Sequence, residues 1–140
     1  MSSPHNFYKL NQDGLIVGVN FINSPNYDNR PKNISINMIV IHSISLPPNK
    51  FGGKYIEDFF TNKLNTNQDP YFKKINNLKV SAHFLIKRDG ELIQFVSCKH
   101  RAWHAGDSNW KNKLNCNDFS IGIELEGSDL IPFENIQYMK

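Results

Sequence analysis

Two residues, a histidine and a glutamate in β-type segments, are the first candidates for chemistry. His42 directly follows the β-branched segment 34–41 (ISINMIVI), and a rigid strand fixes a side chain that lies where the strand meets a loop. Glu124 lies within the string FSIGIEL, on the face opposite to Ile121 and Ile123. A carboxylate held beside apolar neighbours has a raised pKa, which suits a general base or acid. Each residue alone also fits an ordinary role, His42 as a satisfied, partly buried histidine and Glu124 as a strand glutamate facing solvent.

A second pair of candidates, Trp103 and His104, lies in a glycine-containing loop (RAWHAG). An indole face stacks on sugars and an imidazole donates hydrogen bonds, so the pair suits a carbohydrate or peptide cleft. A loop anchored by a buried tryptophan explains the same residues equally well. His83 lies within a strand-type segment, and we interpret it as a core histidine bonded to the backbone. Glu126 and Asp129, which follow the strand of Glu124, are predicted to be surface groups.

Motifs for several other chemistries are absent from the sequence. There is no HExxH, no cysteine cluster and no His-x-His pair, so spacing alone predicts no metal site. There is also no GxSxG elbow and no P-loop. Cys98 and Cys116 form no CxxC motif, and we predict unpaired thiols in a reducing compartment.

The segments that must position these candidates predict an α/β fold, a single domain with a mixed β-sheet flanked by helices. Four segments read as strands because they are rich in β-branched residues or alternate in character: 34–41, 80–86, 91–96 and 119–125. The apolar end of the first (MIVI) predicts a central strand covered on both faces. An Asp89-Gly90 turn joins the second and third into a β-hairpin. Helical spacing of apolar residues predicts a helix from 54 to about 64, and 131–140 has the pattern of another helix start.

Length and composition exclude several classes of protein. A chain of 140 residues with 39% hydrophobic residues suits one globular domain, which we place at 14–140 after a loose polar extension over 1–13. The net charge is only +3 and the basic residues are scattered, so we expect no nucleic-acid partner. The N-terminal stretch lacks an apolar signal core and no apolar run could span a bilayer. We therefore expect a cytoplasmic protein without membrane association; the sequence does not define its oligomeric state.

Four strings together resemble the N-acetylmuramoyl-L-alanine amidase family, which is related to the peptidoglycan recognition proteins. They are, in order, VIHSISLPPNKFGG, VSAHFLIKRDGELIQFV, RAWHAG and CNDFSIGIELEG, and the early SPNYDNRP segment fits the same pattern. Within the family, the strings most resemble those of the cytoplasmic 1,6-anhydro-N-acetylmuramyl-L-alanine amidases, the AmpD type. The resemblance extends from about Gly14 to at least Gly127. It implies a mixed β-sheet with helices, and a cleft that holds a single zinc ion.

Carried over position by position, the resemblance implies a role for each candidate. His42 corresponds to the first zinc ligand, and Glu124 to the catalytic glutamate that works with zinc-bound water. Trp103 and His104 correspond to the loop that lines the sugar and peptide cleft, and His83 to a histidine that is not a ligand. The implied reaction is hydrolysis of the amide between (anhydro-)N-acetylmuramic acid and L-alanine in muropeptides, the soluble turnover products of peptidoglycan recycling.

The sequence departs from the family pattern at two places. Ser43 stands where the family commonly has Asn, which we expect to alter a substrate contact. The family's second zinc histidine, its aspartate ligand and an active-site lysine lie in a later segment, and nothing after Glu126 matches it. Because zinc sites need three or four protein ligands, we expect an incomplete site and an inactive, truncated product. The alternatives are a muropeptide-binding domain without catalysis and a decayed, inactive gene product.

Overall fold

The computed structural model describes residues 7–140, and its main element is a five-stranded mixed β-sheet. In chain order the strands are β1 (Asn20–Phe21), β2 (Tyr27–Asn29), β3 (Met38–Ile44), β4 (Phe84–Ile86), β5 (Leu92–Gln94), β6 (His100–Ala102), β7 (Asn109–Trp110), β8 (Lys113–Leu114) and β9 (Ser120–Glu126). The helices are α1 (Tyr55–Phe60), α2 (Pro70–Ile75) and α3 (Asn135–Tyr138), with a 3-10 turn at Cys116–Phe119. None of these helices combines the length and the apolar character that crossing a membrane requires.

The strand order of the main sheet is β1-β5-β4-β9-β3. β9 runs parallel to both of its neighbours, β3 and β4, whereas β4 and β5 form an antiparallel hairpin. Two small antiparallel pairs, β2 with β6 and β7 with β8, lie outside this sheet. The predicted α/β class, the mixed sheet and the β-hairpin are confirmed, and each of the four predicted strands is present with shifted ends.

The prediction that the first apolar strand is central and covered on both faces is wrong. β3 is an edge strand of the sheet, paired with β9 along seven residues. Ile39 and Ile41 are 65% and 57% exposed, while alternate residues of the strand face inward. The apolar run indicates that 38–44 forms a strand, but the place of that strand in the sheet depends on its pairing with β9, 82 positions later in the sequence. Period alone cannot give that information.

The main core lies between one face of the sheet and the first two helices. Phe60 of α1 and Phe95 contact edge to face with ring centroids 5.1 Å apart, and Phe72 of α2 is fully buried. Burial of each such ring contributes roughly 1.5–3 kcal/mol. Asp69 caps α2 by accepting from the Tyr71 N–H, and Pro70 follows as the first helical residue. The core therefore supports the sheet on the side that also carries His42 and Glu124.

Residues before the sheet are tied to the rest of the chain by hydrogen bonds: the Gly14 carbonyl accepts from Gln94 Nε2 at 2.9 Å and the Asp13 carbonyl accepts from Ser97 Oγ at 2.6 Å. Leu10 forms an isolated bridge with Ile16, and the predicted loose extension is mostly exposed over residues 7–13. The part of that prediction covering residues 1–6 lies outside the described residues. Cys98 and Cys116 are both free thiols, as the sequence predicts.

Candidate active site

His42 and Glu124 are lateral neighbours in two parallel strands, each two residues before the carboxyl end of its strand. The prediction that His42 directly follows its strand is therefore wrong, because β3 continues to Ile44. The register of β3 and β9 pairs His42 with Glu124, and it pairs Ile41 with Ile123 on the opposite face. Side chains paired in this way project from the same side of a sheet. The imidazole and the carboxylate, 82 positions apart in the sequence, therefore share one face of the sheet.

Glu124 is a buried carboxyl group rather than a solvent-facing one. The residue is 9% exposed, and its Oε2 has no hydrogen-bond partner among residues 7–140. Burial disfavours the charged form and raises the pKa of the carboxyl to about 8. Such a group gains or releases its proton near neutral pH, which is the property that a general acid or base needs.

His42 is half-buried, and one of its two ring nitrogens is engaged. Its Nε2 lies 3.0 Å from Nδ1 of His104, with the two rings edge to face. Burial lowers the pKa of His42 below the usual histidine value, so the imidazole is neutral at neutral pH. Nδ1 is the ring nitrogen that remains for other contacts.

His104 lies against the strand backbone between His42 and Ser120. Its Nε2 is 3.2 Å from the Ser120 Oγ, and its ring is seated over Gly122, where a Cβ would lie 2.5 Å from the ring Cδ2. Asn117 holds the loop from behind, because its Oδ1 accepts from the backbone N–H groups of His104 and its successor. Burial, followed by the charges of nearby groups, lowers the pKa of His104 to about 3.

Trp103 is half-buried, and its backbone is fixed on both sides. Its N–H donates to the Asn26 carbonyl at 3.3 Å, and its carbonyl accepts from the Ser81 N–H at 3.0 Å. A hydrogen bond from its side chain helps to lower the pKa of Asp28, after the larger contribution of Arg101. The fixed backbone of Trp103 is therefore compatible both with an anchored loop and with a loop that lines a cleft.

His83 is the core histidine that the sequence predicts. It is fully buried; its Nδ1 accepts from the Gly122 N–H at 3.0 Å, so its Nε2–H donates to the His100 carbonyl at 2.9 Å. Burial lowers the pKa of His83 to about 4. Both nitrogens are used in holding strands together, which confirms the interpretation as a histidine bonded to the backbone.

The prediction that Glu126 is a surface group is wrong. Glu126 is 2% exposed, and its two carboxylate oxygens accept from the backbone N–H groups of Gly52 at 2.7 Å and Arg88 at 3.0 Å. β9 continues through Glu126, so the residue faces inward like Glu124, and the two amides offset the cost of removing its charge from water. Asp129, beyond the strand end, is exposed as predicted.

Arg30 supports the site and is not among the candidate residues that the sequence predicts. Its guanidinium donates to four backbone carbonyls, those of Cys98, Asn117, Asp118 and Ser120. It thereby ties the start of β9 to the loop before it. The SPNYDNRP segment, which contains Arg30, is the only signal in the sequence that could have drawn attention to it.

The described residues do not by themselves fit a catalytic zinc ion. Such a site has three protein ligands and an open position. His42 and His104 bring two imidazoles together, but their facing nitrogens are hydrogen-bonded to each other at 3.0 Å. No group of three or more His, Cys, Asp or Glu side chains within residues 7–140 is arranged to hold a metal ion.

Known proteins are similar to this chain in sequence and in fold. The family model for N-acetylmuramoyl-L-alanine amidase matches residues 31–140. The 1,6-anhydro-N-acetylmuramyl-L-alanine amidase AmpD of Haemophilus influenzae is 50% identical over 127 residues, which is 91% of this chain and 69% of the relative. The same-named protein of Escherichia coli K12 is 47% identical over 131 residues, covering 94% and 72%. A crystal structure of a selenomethionine AmpD derivative superposes with a TM-score of 0.89 at 47% identity, covering 93% of this chain and 73% of that one.

Proposed function

The chain belongs to the N-acetylmuramoyl-L-alanine amidase family, and from that membership we propose that it acts on 1,6-anhydro-muropeptides. The reaction is hydrolysis of the amide bond between 1,6-anhydro-N-acetylmuramic acid and L-alanine. The names of the Haemophilus influenzae and Escherichia coli relatives specify this substrate, and about half of their aligned residues are identical to those of this chain. The proposed setting is the recycling of soluble peptidoglycan fragments in the cytoplasm.

The observation that carries the proposal is the buried carboxyl group of Glu124 beside His42. Amide hydrolysis requires one proton to leave the attacking water and one to reach the departing amine. A carboxyl with a pKa of about 8 and an unpaired oxygen suits both transfers near neutral pH. Glu124 is therefore the proposed proton-transferring residue.

His42 is the proposed zinc ligand of this chain. A zinc ion, when bound, would polarise the amide carbonyl and lower the pKa of water. His42 is neutral and has Nδ1 available, both of which a ligand requires. Because the described residues supply no complete donor set, this chain is expected to hold zinc weakly unless further ligands are supplied.

Trp103 and His104 are the proposed lining of the substrate cleft. The half-buried indole of Trp103 offers an aromatic face to the muramyl sugar. His104 offers the edge of its ring, because both of its nitrogens contact protein side chains. Its contribution to binding is therefore one of shape.

A second candidate function is muropeptide binding without hydrolysis. A cleft lined by Trp103 and His104 can bind a sugar and a peptide without a metal. In that case the Glu124 carboxyl would serve as a buried hydrogen-bonding group for the ligand.

A fusion protein separates these functions. The chain would be extended after Lys140 with the later segment of the Haemophilus influenzae relative, in which the family resemblance places the remaining ligands. It would be incubated with zinc and a 1,6-anhydro-muropeptide. Release of a peptide with a new L-alanine amino terminus supports the amidase, whereas retention of intact ligand supports the binding domain. If the fusion protein neither released the peptide nor bound the ligand, both proposed functions would be contradicted.

A further inference from the structure

A cavity of about 350 Å³ lies on the part of the main sheet that is farthest from His42. It is bordered by Asn20 of β1 and Ile93 of β5, and across from them by residues of α1 and the segment after it. In the strand order, β5 and β1 are two and three places from β9, so roughly 10–15 Å separates these strands from the strand of Glu124. The volume of the cavity falls within the range of about 300–1,000 Å³ that is usual for small-molecule sites.

A buried ion pair forms part of the cavity wall. Lys87 Nζ donates to Glu57 Oε1 at 2.9 Å and to the Gly53 carbonyl at 2.7 Å, and the Lys87 and Glu57 side chains are only 13% and 10% exposed. Burial lowers the pKa of Lys87, but its contact with Glu57 and the charges of other glutamates raise that pKa by more in total. The ammonium group therefore remains charged, and the pair is a fixed part of the wall.

The second carboxylate oxygen of Glu57 lacks a hydrogen-bond donor. Glu57 is 7% exposed, and its Oε2 makes no hydrogen bond to any of residues 7–140. A buried acceptor left unpaired costs roughly 1–3 kcal/mol, and more where the group is charged. The terminal torsion of a glutamate is soft, so a small rotation turns Oε2 towards the cavity while Oε1 stays with Lys87. An N–H group of a ligand in the cavity would supply the missing donor.

The other charges of the cavity wall favour a ligand that carries both signs. Asp58 and Glu91 contribute two carboxylates, and Lys54 and Lys63 contribute two ammonium groups. A simple cation would be repelled by the lysines, and a simple anion by the carboxylates. A metal ion is a poor fit, because no three His, Cys, Asp or Glu side chains in the described part of the chain are arranged to hold one.

We propose that this cavity is a binding site for a zwitterionic α-amino acid. The ammonium group of the ligand donates to Oε2 of Glu57, and its carboxylate contacts the lysines Lys54 and Lys63. A bound amino acid would thereby strengthen the contact between α1 and the β4–β5 hairpin, which the Glu57–Lys87 pair already joins. The site is separate from His42 and Glu124 and does not depend on the proposed amidase function.

An NMR titration of the 140-residue chain with L-alanine tests the proposal, with no metal or muropeptide present. The expected result is a saturable shift of the backbone amide signals of residues 54–63 and 87–93, while those of 120–126 stay unchanged. Propionate and ethylammonium each lack one of the two charges of alanine. Each should bind roughly tenfold or more weakly, which is the usual effect of losing a hydrogen bond to a charged group.

Two variants locate the site on the chain. Glu57→Gln keeps the size of the side chain but removes its charge, and the double variant Lys54→Gln/Lys63→Gln removes two exposed charges that the core does not require. Each should weaken alanine binding roughly tenfold or more. The double variant Lys73→Gln/Lys74→Gln is the matched control, because it removes two exposed lysines of α2 outside the cavity, and it should bind alanine normally.

Several results would overturn the proposal. They are the absence of a saturable shift with L-alanine, equal binding of propionate or ethylammonium, and shifts centred on 120–126 instead of the cavity. Unchanged binding in the Lys54→Gln/Lys63→Gln protein would also overturn it, and this variant decides the matter even if Glu57→Gln disturbs folding. No hydrolysis is measured, so an incorrect amino-acid site and an incorrect proposed function would be recognised independently.

Discussion

Gly122 and His104 occupy adjoining space so closely that a side chain on the glycine excludes the imidazole. A Cβ on Gly122 would lie 2.5 Å from the ring Cδ2 of His104. That ring cannot easily move away, because its two nitrogens contact His42 and Ser120. The glycine in the string FSIGIEL is therefore required by the histidine in RAWHAG, although the two lie 18 positions apart in the sequence.

The first prediction follows from this contact. Gly122→Ala should displace the His104 ring and lower the free energy of unfolding by roughly 1–3 kcal/mol, the usual cost of overpacking. Urea denaturation measures the change. The control is a double-mutant cycle with His104→Ala, in which the same glycine substitution should cost much less because the ring is absent. Equal costs in both backgrounds would show that the ring contact is not the cause.

A second prediction concerns acid stability through His83. Its folded-state pKa of about 4 lies below the value of about 6.5 for an exposed histidine, so the unfolded chain binds more protons between these pH values. The stabilisation is complete above about pH 6.5 and is lost as the pH falls towards 4. A difference of this size corresponds to roughly 3 kcal/mol. Urea denaturation at several pH values measures it as the difference between the wild-type protein and a variant without His83, because His104, with a pKa of about 3, contributes in the same direction.

His83→Gln supplies the control for this pH effect. The variant should be less stable at pH 7, because His83 bonds to two backbone groups, but its stability should depend less on pH between 6.5 and 4. If both proteins lost stability in parallel over that range, His83 would not be the titrating group.

A third prediction concerns Glu126. Glu126→Ala removes the acceptor of the backbone N–H groups of Gly52, which is exposed, and Arg88, which is half-buried, so the free energy of unfolding should fall by roughly 1–3 kcal/mol in total. Thermal or urea unfolding tests this. Asp129→Ala removes an exposed carboxylate from the segment just after the same strand and should change stability by less than about 0.5 kcal/mol. A neutral Glu126→Ala would contradict the inward-facing role.

These cases show how far the sequence predicts the structure. Local pattern predicts the hairpin, because β4, its Asp-Gly turn and β5 are adjacent in the sequence. It also places Glu124 opposite to Ile123. It does not predict that β3 lies at an edge, nor that His42 and Glu124 are paired, because both depend on contacts between distant segments. The family resemblance brings His42 and Glu124 into one site before any coordinates are considered.

Supporting residues are harder to predict than the site residues that they hold. Glutamate is usually a surface residue, but Glu126 is buried because two backbone amides in loops donate hydrogen bonds to it. Arg30 lies in a polar turn segment and is recognised only when its four carbonyl acceptors are seen around it. Polar groups of this kind are stabilised by their partners, and a sequence pattern does not show those partners.

The fourth prediction concerns metal retention. Because the described residues contain no set of three donors, the 140-residue chain should bind zinc weakly and release it on dialysis. Metal analysis after dialysis measures the zinc that remains, with His42→Ala as the control that lacks the proposed ligand. Retention of one zinc ion per wild-type chain would contradict the prediction and would mean that other groups complete the site.

The central claim is that Glu124 transfers protons in an amidase whose metal ligand is His42. Its most direct test is the rate of L-alanyl peptide release by the fusion protein, compared with its Glu124→Gln variant under saturating zinc. We expect Glu124→Gln to retain zinc and to lower the rate about 10²–10⁴-fold, the usual contribution of a positioned acid or base. Asp129→Asn, a change of an exposed carboxylate, should keep the full rate. An undiminished rate in Glu124→Gln, or loss of zinc from it, would contradict the account.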